Sequence, residues 1–440
     1  MKYYSTNGKA PIADLHKAVV KGLAEDRGLY MPEKINKLPK EFFDNIEKMS
    51  FQEIAYTVAS AFFGEDVDPD ALHDIVYDTL QFDCPVVNVK DNIYTLELFH
   101  GPTLAFKDVG ARFMARLLQY FIKQENNHKE VNVLVATSGD TGSAVANGFL
   151  GVDGIHVYVL YPKGKVSPIQ ECQFTTLGKN ITAIEVDGVF DDCQALVKNA
   201  FMDAELNEHM KLTSANSINV ARFLPQAFYY FNAYACMKEI ANTQHLSPNT
   251  QLVMCVPSGN FGNICAALFG HEMGLPIKRF IAANNANDIF YNYLQTGKYE
   301  PKPSKQTLAN AMDVGDPSNF ARIYDLYGKS HAKITSLISG ATYSDEQIKA
   351  TMRECYKDSG YILDPHGACG YQALKDGLQA GEVGVFCETA HPAKFKEKVD
   401  DILGIDVEIP ERLAAFMRGQ KQSVPMSKDF ADFKAFLMKQ

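Results

Sequence analysis

Lys107 is the residue whose surroundings point most directly to covalent chemistry in this chain of 440 residues. A strand-like run from Ile93 to Leu98 and a turn at Gly101-Pro102 precede it, and a helical pattern begins near Asp108. An ammonium group among apolar neighbours at such a junction loses hydration, so its pKa falls and the neutral amine can attack a carbonyl. A lysine that begins a helix with its head in water would have the same sequence. The assignment therefore depends on partners elsewhere in the chain.

Two glycine-rich loops share one pattern, in which a strand is followed by Ser-Gly-[Asp/Asn]-x-Gly and then by a helix. The 138 loop comprises Ser138-Gly139-Asp140-Thr141-Gly142, and the 258 loop comprises Ser258-Gly259-Asn260-Phe261-Gly262-Asn263. Glycines let successive backbone N–H groups turn inward, and the helix adds its positive end, so each loop can hold an anion. A capped helix start that needs glycine only for its turn would look similar. The occurrence of two such loops, each after a buried strand, favours anion binding.

Other familiar sites have little support. The sequence lacks the phosphate-binding GxxxxGK[ST] motif, the dinucleotide motif GxGxxG and the zinc-protease motif HExxH. The histidines and cysteines show no metal-ligand spacing, and we expect no metal. Two Asp-[Ser/Thr]-Gly triplets begin at Asp140 and Asp358, as in an aspartic protease dyad. That chemistry belongs to all-β scaffolds, whereas Asp140 here precedes a helix.

The elements that must position these residues form an α/β pattern. Short apolar runs predict strands at 131–136, 155–160, 181–186, 251–256 and 280–283. Helical patterns alternate with them, from Ser143, from the cap Ser167 with Gln170, and over 190–201 and 220–240. The alternation is typical of a mainly parallel sheet covered by helices, in which ligands bind beyond the carboxyl ends of the strands.

The stretch 11–82 has a helical pattern instead. Ile12, Leu15 and Val19 share one predicted face, and Ser50 with Glu53 matches a capping box. These apolar stripes are packing surfaces, to which we assign no chemistry.

Composition limits the partners and the compartment. The formal net charge of -10 argues against a nucleic-acid partner. The amino terminus turns polar at once and no apolar run reaches membrane-spanning length, so we expect a cytoplasmic protein without a membrane partner. The nine cysteines are scattered without a C-x-x-C pair, which favours reduced thiols.

Six segments, taken in order, resemble the threonine synthase family, in its longer branch with a helical amino-terminal extension. They span nearly the whole chain and comprise residues 98–108, 136–144, 214–219, 256–263, 310–314 and 389–395. The resemblance implies the tryptophan synthase β-like fold (pyridoxal-phosphate fold type II), with two open twisted sheets flanked by helices. It implies a mainly helical domain over 1–92, a cofactor-binding α/β core over 93–400 with a smaller subdomain near 130–225, and a carboxyl-terminal segment over 401–440.

By the same resemblance, the cofactor is pyridoxal 5′-phosphate, joined to Lys107 as a Schiff base. The backbone of Gly259, Asn260, Phe261, Gly262 and Asn263 would hold its phosphate. Thr389 would face the pyridine nitrogen and, being neutral, would not force that nitrogen to be protonated. Without the resemblance, Thr389 would be interpreted as the cap of a strand that ends at Cys387.

The implied substrate is O-phospho-L-homoserine, which the family converts with water to L-threonine and phosphate in the last step of threonine biosynthesis. Residues of the 138 loop would bind its carboxylate, namely Thr137, Ser138, Gly139, Asp140 and Thr141. Asp140 stands where much of the wider superfamily has asparagine against the cofactor's 3′-oxygen, so it is either protonated or faces the substrate amine.

The substrate phosphate requires a second anion site. Asn216, within 214–217, and Arg222 are the candidates, since arginine binds phosphate in a bidentate manner. Lys163 and Lys165 are alternatives that would equally suit a solvated loop. His100 and His391 either line the pocket or make structural hydrogen bonds.

Lys107 would transfer the protons of a γ-elimination followed by β-addition of water. Two alternatives remain open at this point. A dehydratase acting on serine or threonine would share the lysine and the phosphate loop without needing a second anion site, and a homologue could bind the cofactor without catalysis. The sequence also leaves a monomer and a dimer open.

Overall fold

The computed structural model describes residues 1–125, 129–244, 246–247 and 249–440. These residues form two compact units, each discontinuous in sequence. Unit 1 contains Met1, Met31–Gly101 and Phe223–Glu408, and unit 2 contains Lys2–Tyr30, Pro102–Arg222 and Ile409–Gln440. The predicted domain boundaries near residues 92 and 400 stay a prediction.

The strands and helices alternate along most of the chain. The strands are β1 (Lys2–Ser5), β2 (Ala13–Asp14), β3 (Tyr30–Pro32), β4 (Val86–Lys90), β5 (Ile93–Glu97), β6 (Val131–Ala136), β7 (Ile155–Pro162), β8 (Ile181–Val186), β9 (Lys211–Ser214), β10 (Gln251–Pro257), β11 (Arg279–Asn284), β12 (Ile338–Thr342), β13 (Glu382–Glu388) and β14 (Val424–Met426). The α-helices are α1 (Leu15–Lys21), α2 (Lys40–Asn45), α3 (Phe51–Phe63), α4 (Pro69–Thr79), α5 (Lys107–Gln124), α6 (Asp140–Phe149), α7 (Pro168–Thr175), α8 (Phe190–Met202), α9 (Ala204–His209), α10 (Val220–Phe223), α11 (Ala227–Gln244), α12 (Gly262–Glu272), α13 (Ile289–Thr296), α14 (Phe320–Leu326), α15 (His331–Leu337), α16 (Asp345–Ser359), α17 (Pro365–Gly377), α18 (Lys396–Leu403), α19 (Glu411–Met417) and α20 (Phe430–Leu437). Short 3-10 turns lie at Ile46–Lys48, Leu224–Gln226, Asn310–Met312 and Pro392–Phe395.

Unit 1 is built on a sheet with the strand order β12-β11-β10-β13-β5-β4. Its pairs are parallel except for the antiparallel edge pair of β4 and β5. Strand β10 is buried from Leu252 to Pro257, and α17 packs against β10 and β13. Helix α3 of the amino-terminal region packs on α11. The 258 loop follows the carboxyl end of β10, where the sequence placed it.

Unit 2 is built on a parallel sheet with the order β14-β8-β7-β6-β9. Strand β6 is buried along its whole length and leads into the 138 loop. An apolar core on this sheet joins Leu134, Leu160 and Ile184 to Leu196 of α8 and Phe433 of α20. The predicted α/β architecture is therefore confirmed in both units.

Some predicted boundaries were wrong for local physical reasons. The helix after β6 begins at Asp140, three residues before the predicted Ser143, because the glycine-rich turn itself enters the helix. The predicted helix 220–240 is interrupted at Pro225, which lacks the N–H that a continuous helix requires. Ile12 precedes α1 and is 52% exposed, so it does not share a buried face with Leu15 and Val19.

The amino-terminal region is also less uniform than predicted, since three short strands, β1 to β3, accompany its helices. The capping box at Ser50 and Glu53 is confirmed, with reciprocal bonds of 3.2 and 2.7 Å. The predicted helix cap at Ser167 is confirmed. The Ser167 hydroxyl accepts from the Gln170 N–H (3.2 Å) and donates to the Gln170 Oε1 (3.1 Å), while the Gln170 Nε2 donates to Asp140.

All nine cysteines are free thiols within the described residues. In the same residues, every helix is too short or too polar to cross a membrane.

Candidate active site

Lys107 begins helix α5 in unit 2, at the end of a tightly bonded turn. The Asp108 carboxylate accepts hydrogen bonds from the Thr103 N–H (2.9 Å) and the Thr103 hydroxyl (2.6 Å). Leu104 has a left-handed backbone with φ of 60°, which is uncommon for a branched residue and costs conformational energy. The Lys107 ammonium lies 5.5 Å from the centre of the Phe106 ring and its side chain is half-buried. The lysine thus projects from a fixed backbone.

Arg222, the last residue of the segment Pro102–Arg222 of unit 2, bonds the same backbone. Its Nε donates to the Ala215 carbonyl (2.6 Å) and its Nη1 to the Lys107 carbonyl (3.3 Å), and the residue is only 2% exposed. A Cβ at Gly110 would collide with the Arg222 backbone and guanidinium, so glycine is required for this approach. The guanidinium is therefore already engaged with backbone carbonyls, and its predicted contact with a substrate phosphate stays a prediction.

The 138 loop, also in unit 2, is organised around the Thr137 hydroxyl. That oxygen accepts from the N–H groups of Gly139 (2.9 Å) and Gly142 (2.8 Å). Gly139 has φ of 145°, a conformation closed to L-residues with side chains, and a Cβ there would lie 2.6 Å from the Gln170 side chain. Thr137 is buried, whereas Ser138 and Thr141 are half-buried. Thr137 therefore shapes the loop, and Ser138 and Thr141 are more accessible; the predicted binding of substrate by these residues stays a prediction.

Asp140 is buried at the first position of α6, and its Oδ1 accepts from the Gln170 Nε2 at 3.0 Å. Sequence reasoning found Gln170 only as part of a helix cap, because nothing local in the sequence links α7 to the 138 loop. The same glutamine contacts Gly139, so it fixes both the turn and the carboxyl group.

The remaining unit 2 candidates differ in burial. Asn216 is half-buried and its Nδ2 donates to the Ala136 carbonyl (3.3 Å), which ties it to the strand that precedes the 138 loop. Lys163 and Lys165 are exposed in the turn after β7. The structure thus brings Asn216 to the 138 loop and leaves both lysines at the surface of the unit.

The 258 loop of unit 1 has a different internal structure. Phe261 adopts a left-handed conformation (φ 65°, ψ 12°) at the cap of α12, and its buried ring packs on Phe290. The Asn263 side chain turns back, accepting from the Ser258 hydroxyl (2.9 Å) and donating to the Pro257 carbonyl (2.9 Å). Alternation of right- and left-handed residues before a helix directs backbone N–H groups to one side, where the helix dipole also favours an anion.

A second segment of unit 1, residues 311–319, packs against this loop. The Asn260 carbonyl accepts from the backbone N–H (3.2 Å) and Nδ2 (3.1 Å) of Asn319, and the Asn260 Oδ1 accepts from the Ser318 N–H (2.9 Å). A Cβ at Gly259 would lie 2.6 Å from the Ala311 carbonyl oxygen and 2.9 Å from the Met312 Cα. The Asn260 side chain therefore braces the loop, and Gly259 must be glycine for the two segments to meet. A loop of this shape, whose backbone N–H groups would be the donors, fits a phosphate ester.

Arg322 supports the same segment and was not found from the sequence. It is fully buried, its Nη1 donates to the Asn319 Oδ1 (2.8 Å), and its guanidinium lies 4.0 Å from the Phe223 ring centre. Burial lowers the pKa of Arg322 to about 9, so it remains charged at neutral pH. A lone arginine in an amphipathic helix carries no sequence signal of this role.

Thr389 directly follows β13 and is buried in unit 1. His391, two residues on, accepts from the Ala393 N–H at its Nδ1 (3.0 Å) and packs edge-on against Phe99. Burial, aided by His100, lowers the pKa of His391 to about 4. His100 itself is 41% exposed and lies 3.6 Å from the Glu97 carboxylate. His391 thus makes a structural hydrogen bond, and its place in the lining of the pocket stays a prediction.

The aspartic protease alternative gains no support. Asp140 is bonded to Gln170 within unit 2, whereas Asp358 pairs with Lys90 (2.7 Å) within unit 1. The Lys90 ammonium lowers the pKa of Asp358, so this carboxyl is ionised rather than sharing a proton.

Three protein-family profiles match the chain in succession. Residues 2–80 match the threonine synthase N terminus, residues 82–387 match the pyridoxal-phosphate-dependent enzymes, and residues 367–437 match the threonine synthase C-terminal family.

Full-length relatives agree with these profiles. The threonine synthase of Serratia marcescens is 44% identical over 438 residues, covering 100% of this chain and 99% of that protein. The crystal structure of threonine synthase from Escherichia coli superimposes with a TM-score of 0.92 at 43% identity, covering 100% of both chains. A threonine synthase from Brucella melitensis, solved with pyridoxal phosphate bound, gives a TM-score of 0.91 at 34% identity over 100% of this chain and 99% of that one. Maize serine racemase, at 16% identity and a TM-score of 0.52 over 79% of this chain and 96% of that one, shares the fold alone.

Proposed function

Because the chain belongs to the threonine synthase family of pyridoxal-phosphate-dependent enzymes, we propose that it converts O-phospho-L-homoserine and water to L-threonine and phosphate. The observation that carries this proposal is the full-length match, which includes both family-specific terminal segments. The enzyme would be a carbon–oxygen lyase acting on a phosphate ester, and it would supply the last step of threonine biosynthesis.

The residues fit pyridoxal 5′-phosphate. The Lys107 amine would bind its aldehyde, and the N–H groups of the 258 loop would hold its phosphate, with Gly259 allowing Ala311 and Met312 to pack against that loop. The Thr389 hydroxyl would bond the pyridine nitrogen without forcing its protonation. When bound, the cofactor supplies an electron sink that makes a Cα proton of an amino acid removable.

Lys107 would then serve as the base and acid of the reaction. Its Nζ would take protons from Cα and Cβ of the substrate and return one to Cγ after the phosphate has left. It would return the other to Cα once water has added its hydroxyl at Cβ, and the remaining proton of that water would go to the released phosphate. The bonds that fix its backbone, from Arg222 and within the 103–108 turn, limit the positions that Nζ can occupy. Restricting a proton carrier in this way lowers the entropic cost of each transfer.

The 138 loop would bind the substrate carboxylate. Ser138 and Thr141 offer hydroxyl donors, and the Thr137 hydroxyl fixes the Gly139 and Gly142 N–H groups in place. Asp140, held by Gln170, would face the substrate amine, where a carboxylate is favourable. Asn216 lies beside this loop and would contribute to the substrate phosphate site.

The decisive experiment measures two products of the purified protein loaded with pyridoxal phosphate. We expect phosphate release from O-phospho-L-homoserine with matching formation of threonine, and little 2-oxobutanoate from threonine. Dominant deamination of threonine would instead identify a dehydratase. Neither reaction, with a normal Schiff-base absorbance, would identify a homologue without catalysis.

Lys107→Ala is the matched control. This variant should lose the visible absorbance of the Schiff base and all turnover, since no other residue is proposed to carry the aldehyde. Full turnover by Lys107→Ala would refute the assignment.

A further inference from the structure

Three buried polar residues of unit 1 form a hydrogen-bonded network that has no role in the proposed reaction. Glu388 ends β13, Asp364 caps α17, and His366 lies in the first turn of that helix. Glu388 and Asp364 are fully buried and His366 nearly so. Buried ionisable groups generally need hydrogen-bond partners, so the bonds of these three residues show which part of the backbone they position.

Asp364 is the central member of this network. Its Oδ1 accepts from the Gly367 N–H (2.6 Å) and its Oδ2 from the His366 Nδ1 (2.6 Å), at the positive end of a thirteen-residue helix. Glu388 accepts from the Asp364 N–H (2.6 Å). Burial and the adjacent Asp364 carboxylate raise the pKa of Glu388 well above its usual value. Its side chain touches Gly367 so closely that a Cβ there would overlap it.

His366 connects this network to the segment that packs on the 258 loop. Its Nε2 accepts from the Ala311 N–H (3.1 Å), so the network assigns the proton to Nδ1 and leaves the ring neutral. The same Ala311 residue presents its carbonyl oxygen to Gly259. The position of Ala311 decides how closely the second segment can approach the 258 loop.

We propose that Glu388, Asp364 and His366 are positioning residues that fix the Ala311 backbone against Gly259 and thereby shape the 258 loop to bind a phosphate monoester. This inference rests on the proposed role of the 258 loop and deepens it, because it names the residues that set phosphate affinity. None of the three need touch the ligand. Their effect should therefore depend on the phosphate group of the ligand and not on its ring.

The test compares pyridoxal 5′-phosphate with pyridoxal, which lacks the phosphate, as ligands of the apoprotein. His366→Leu removes the acceptor and leaves the Ala311 N–H unsatisfied, which corresponds to about a tenfold loss of affinity for pyridoxal 5′-phosphate. The affinity for pyridoxal should stay within about twofold of the wild type. Both constants are measured by Schiff-base absorbance, since the chain contains no tryptophan to report binding.

Two further variants keep the test interpretable. His366→Gln can place an amide oxygen near the position of Nε2 and should recover most of the lost affinity. His331→Leu is the control, because His331 of the same unit also bonds the backbone through its Nε2, in its case at the Tyr293 and Leu294 carbonyls, and also packs on an aromatic ring. It should lower the melting temperature of the apoprotein without changing the ratio of the two ligand affinities.

An unchanged ratio in His366→Leu, whether both affinities fall together or neither falls, would overturn the inference. If His366→Leu does not fold, Asp364→Asn replaces it, since the amide disturbs the bond to His366 with little change of shape. An unchanged ratio in folded Asp364→Asn protein would then overturn the inference in the same way. Failure of the proposed cofactor site would look different, since the wild-type protein would then show no Schiff base with either ligand, whereas failure of catalysis alone would leave both affinities measurable.

Discussion

The 138 loop and the 258 loop begin from nearly the same sequence and are satisfied in opposite ways. In the 138 loop the hydroxyl of Thr137, which directly follows strand β6, accepts from two backbone N–H groups, so the loop closes on itself. In the 258 loop the bonds to the second segment go through the Asn260 carbonyl and side chain. A shared pattern of glycines therefore defines a strand-to-helix turn, whereas the neighbours decide which backbone groups face a ligand. This difference in bonding supports the proposal, made from the family resemblance, that the 138 loop binds a carboxylate and the 258 loop a phosphate.

The largest expected effect comes from Gly259→Ala, which tests the 258 loop directly. The added Cβ would lie 2.6 Å from a backbone oxygen that cannot move without displacing the second segment. Overpacking of about 1–3 kcal/mol should weaken pyridoxal phosphate binding by roughly fivefold to 150-fold, measured by absorbance titration of the apoprotein. Gly328→Ala is the control, since it lies in the same unit with a positive φ of 62° but has open space around it. Equal losses in both variants would mean that general destabilisation, not the contact, is responsible.

Thr137→Val should have the next largest effect, and on the other loop. It preserves shape but leaves two N–H groups without their acceptor, at about 1–3 kcal/mol. We expect kcat/KM for O-phospho-L-homoserine to fall by about tenfold or more while the affinity for pyridoxal phosphate is retained. Thr137→Ser keeps the acceptor and should restore most of the activity. A parallel loss of cofactor affinity in Thr137→Val would contradict the division of labour between the loops.

Asn319→Ala should have a smaller effect, because one of two bonds to the Asn260 carbonyl survives. Loss of the amide donor and of its bond from Arg322 corresponds to about 1 kcal/mol, or about fivefold in cofactor affinity. Asn147→Ala provides the comparison in unit 2, where Asn147 donates to the Ser143 and Gln173 carbonyls. It should lower stability without changing cofactor affinity, as equilibrium dialysis would show.

The smallest expected effect is on the pH dependence of stability, through His391 of unit 1. His391 is neutral in the folded protein down to a pKa of about 4, below its ordinary value of 6.5. The unfolded chain therefore binds the extra proton first, and stability falls as pH falls from about 6.5 towards about 4. In chemical denaturation across this range, His391→Gln should show a shallower decline than the wild type. An identical decline would mean that His391 is already protonated in the folded state.

Local signals in the sequence were sufficient for much of the architecture. Strands 131–136 and 181–186 were predicted with the observed bounds, because each is a continuous apolar run between turn residues. The lysine at the start of α5 and both glycine-rich loops were found for the same reason. Helix starts were less certain where glycine or proline altered the first turn, as at Asp140 and Pro225.

The bonds that shape the site were not predictable in this way. Arg222 was proposed as a ligand because arginine suits phosphate, yet it bonds the Lys107 carbonyl 115 positions away. Gln170 and His366 similarly meet residues 30 and 55 positions distant. No periodicity links such pairs, because each depends on how whole helices pack.

The sequence by itself determined the family, the cofactor and the lysine proposed to carry it, since these depend on short segments whose order along the chain is specific. Only the tertiary structure decided which polar side chains are committed to the protein's own backbone. The physical reason is that a buried donor or acceptor must find a partner, and packing alone determines which partner is within reach. For the 138 and 258 loops, those partners distinguish two proposed anion sites whose sequences look alike.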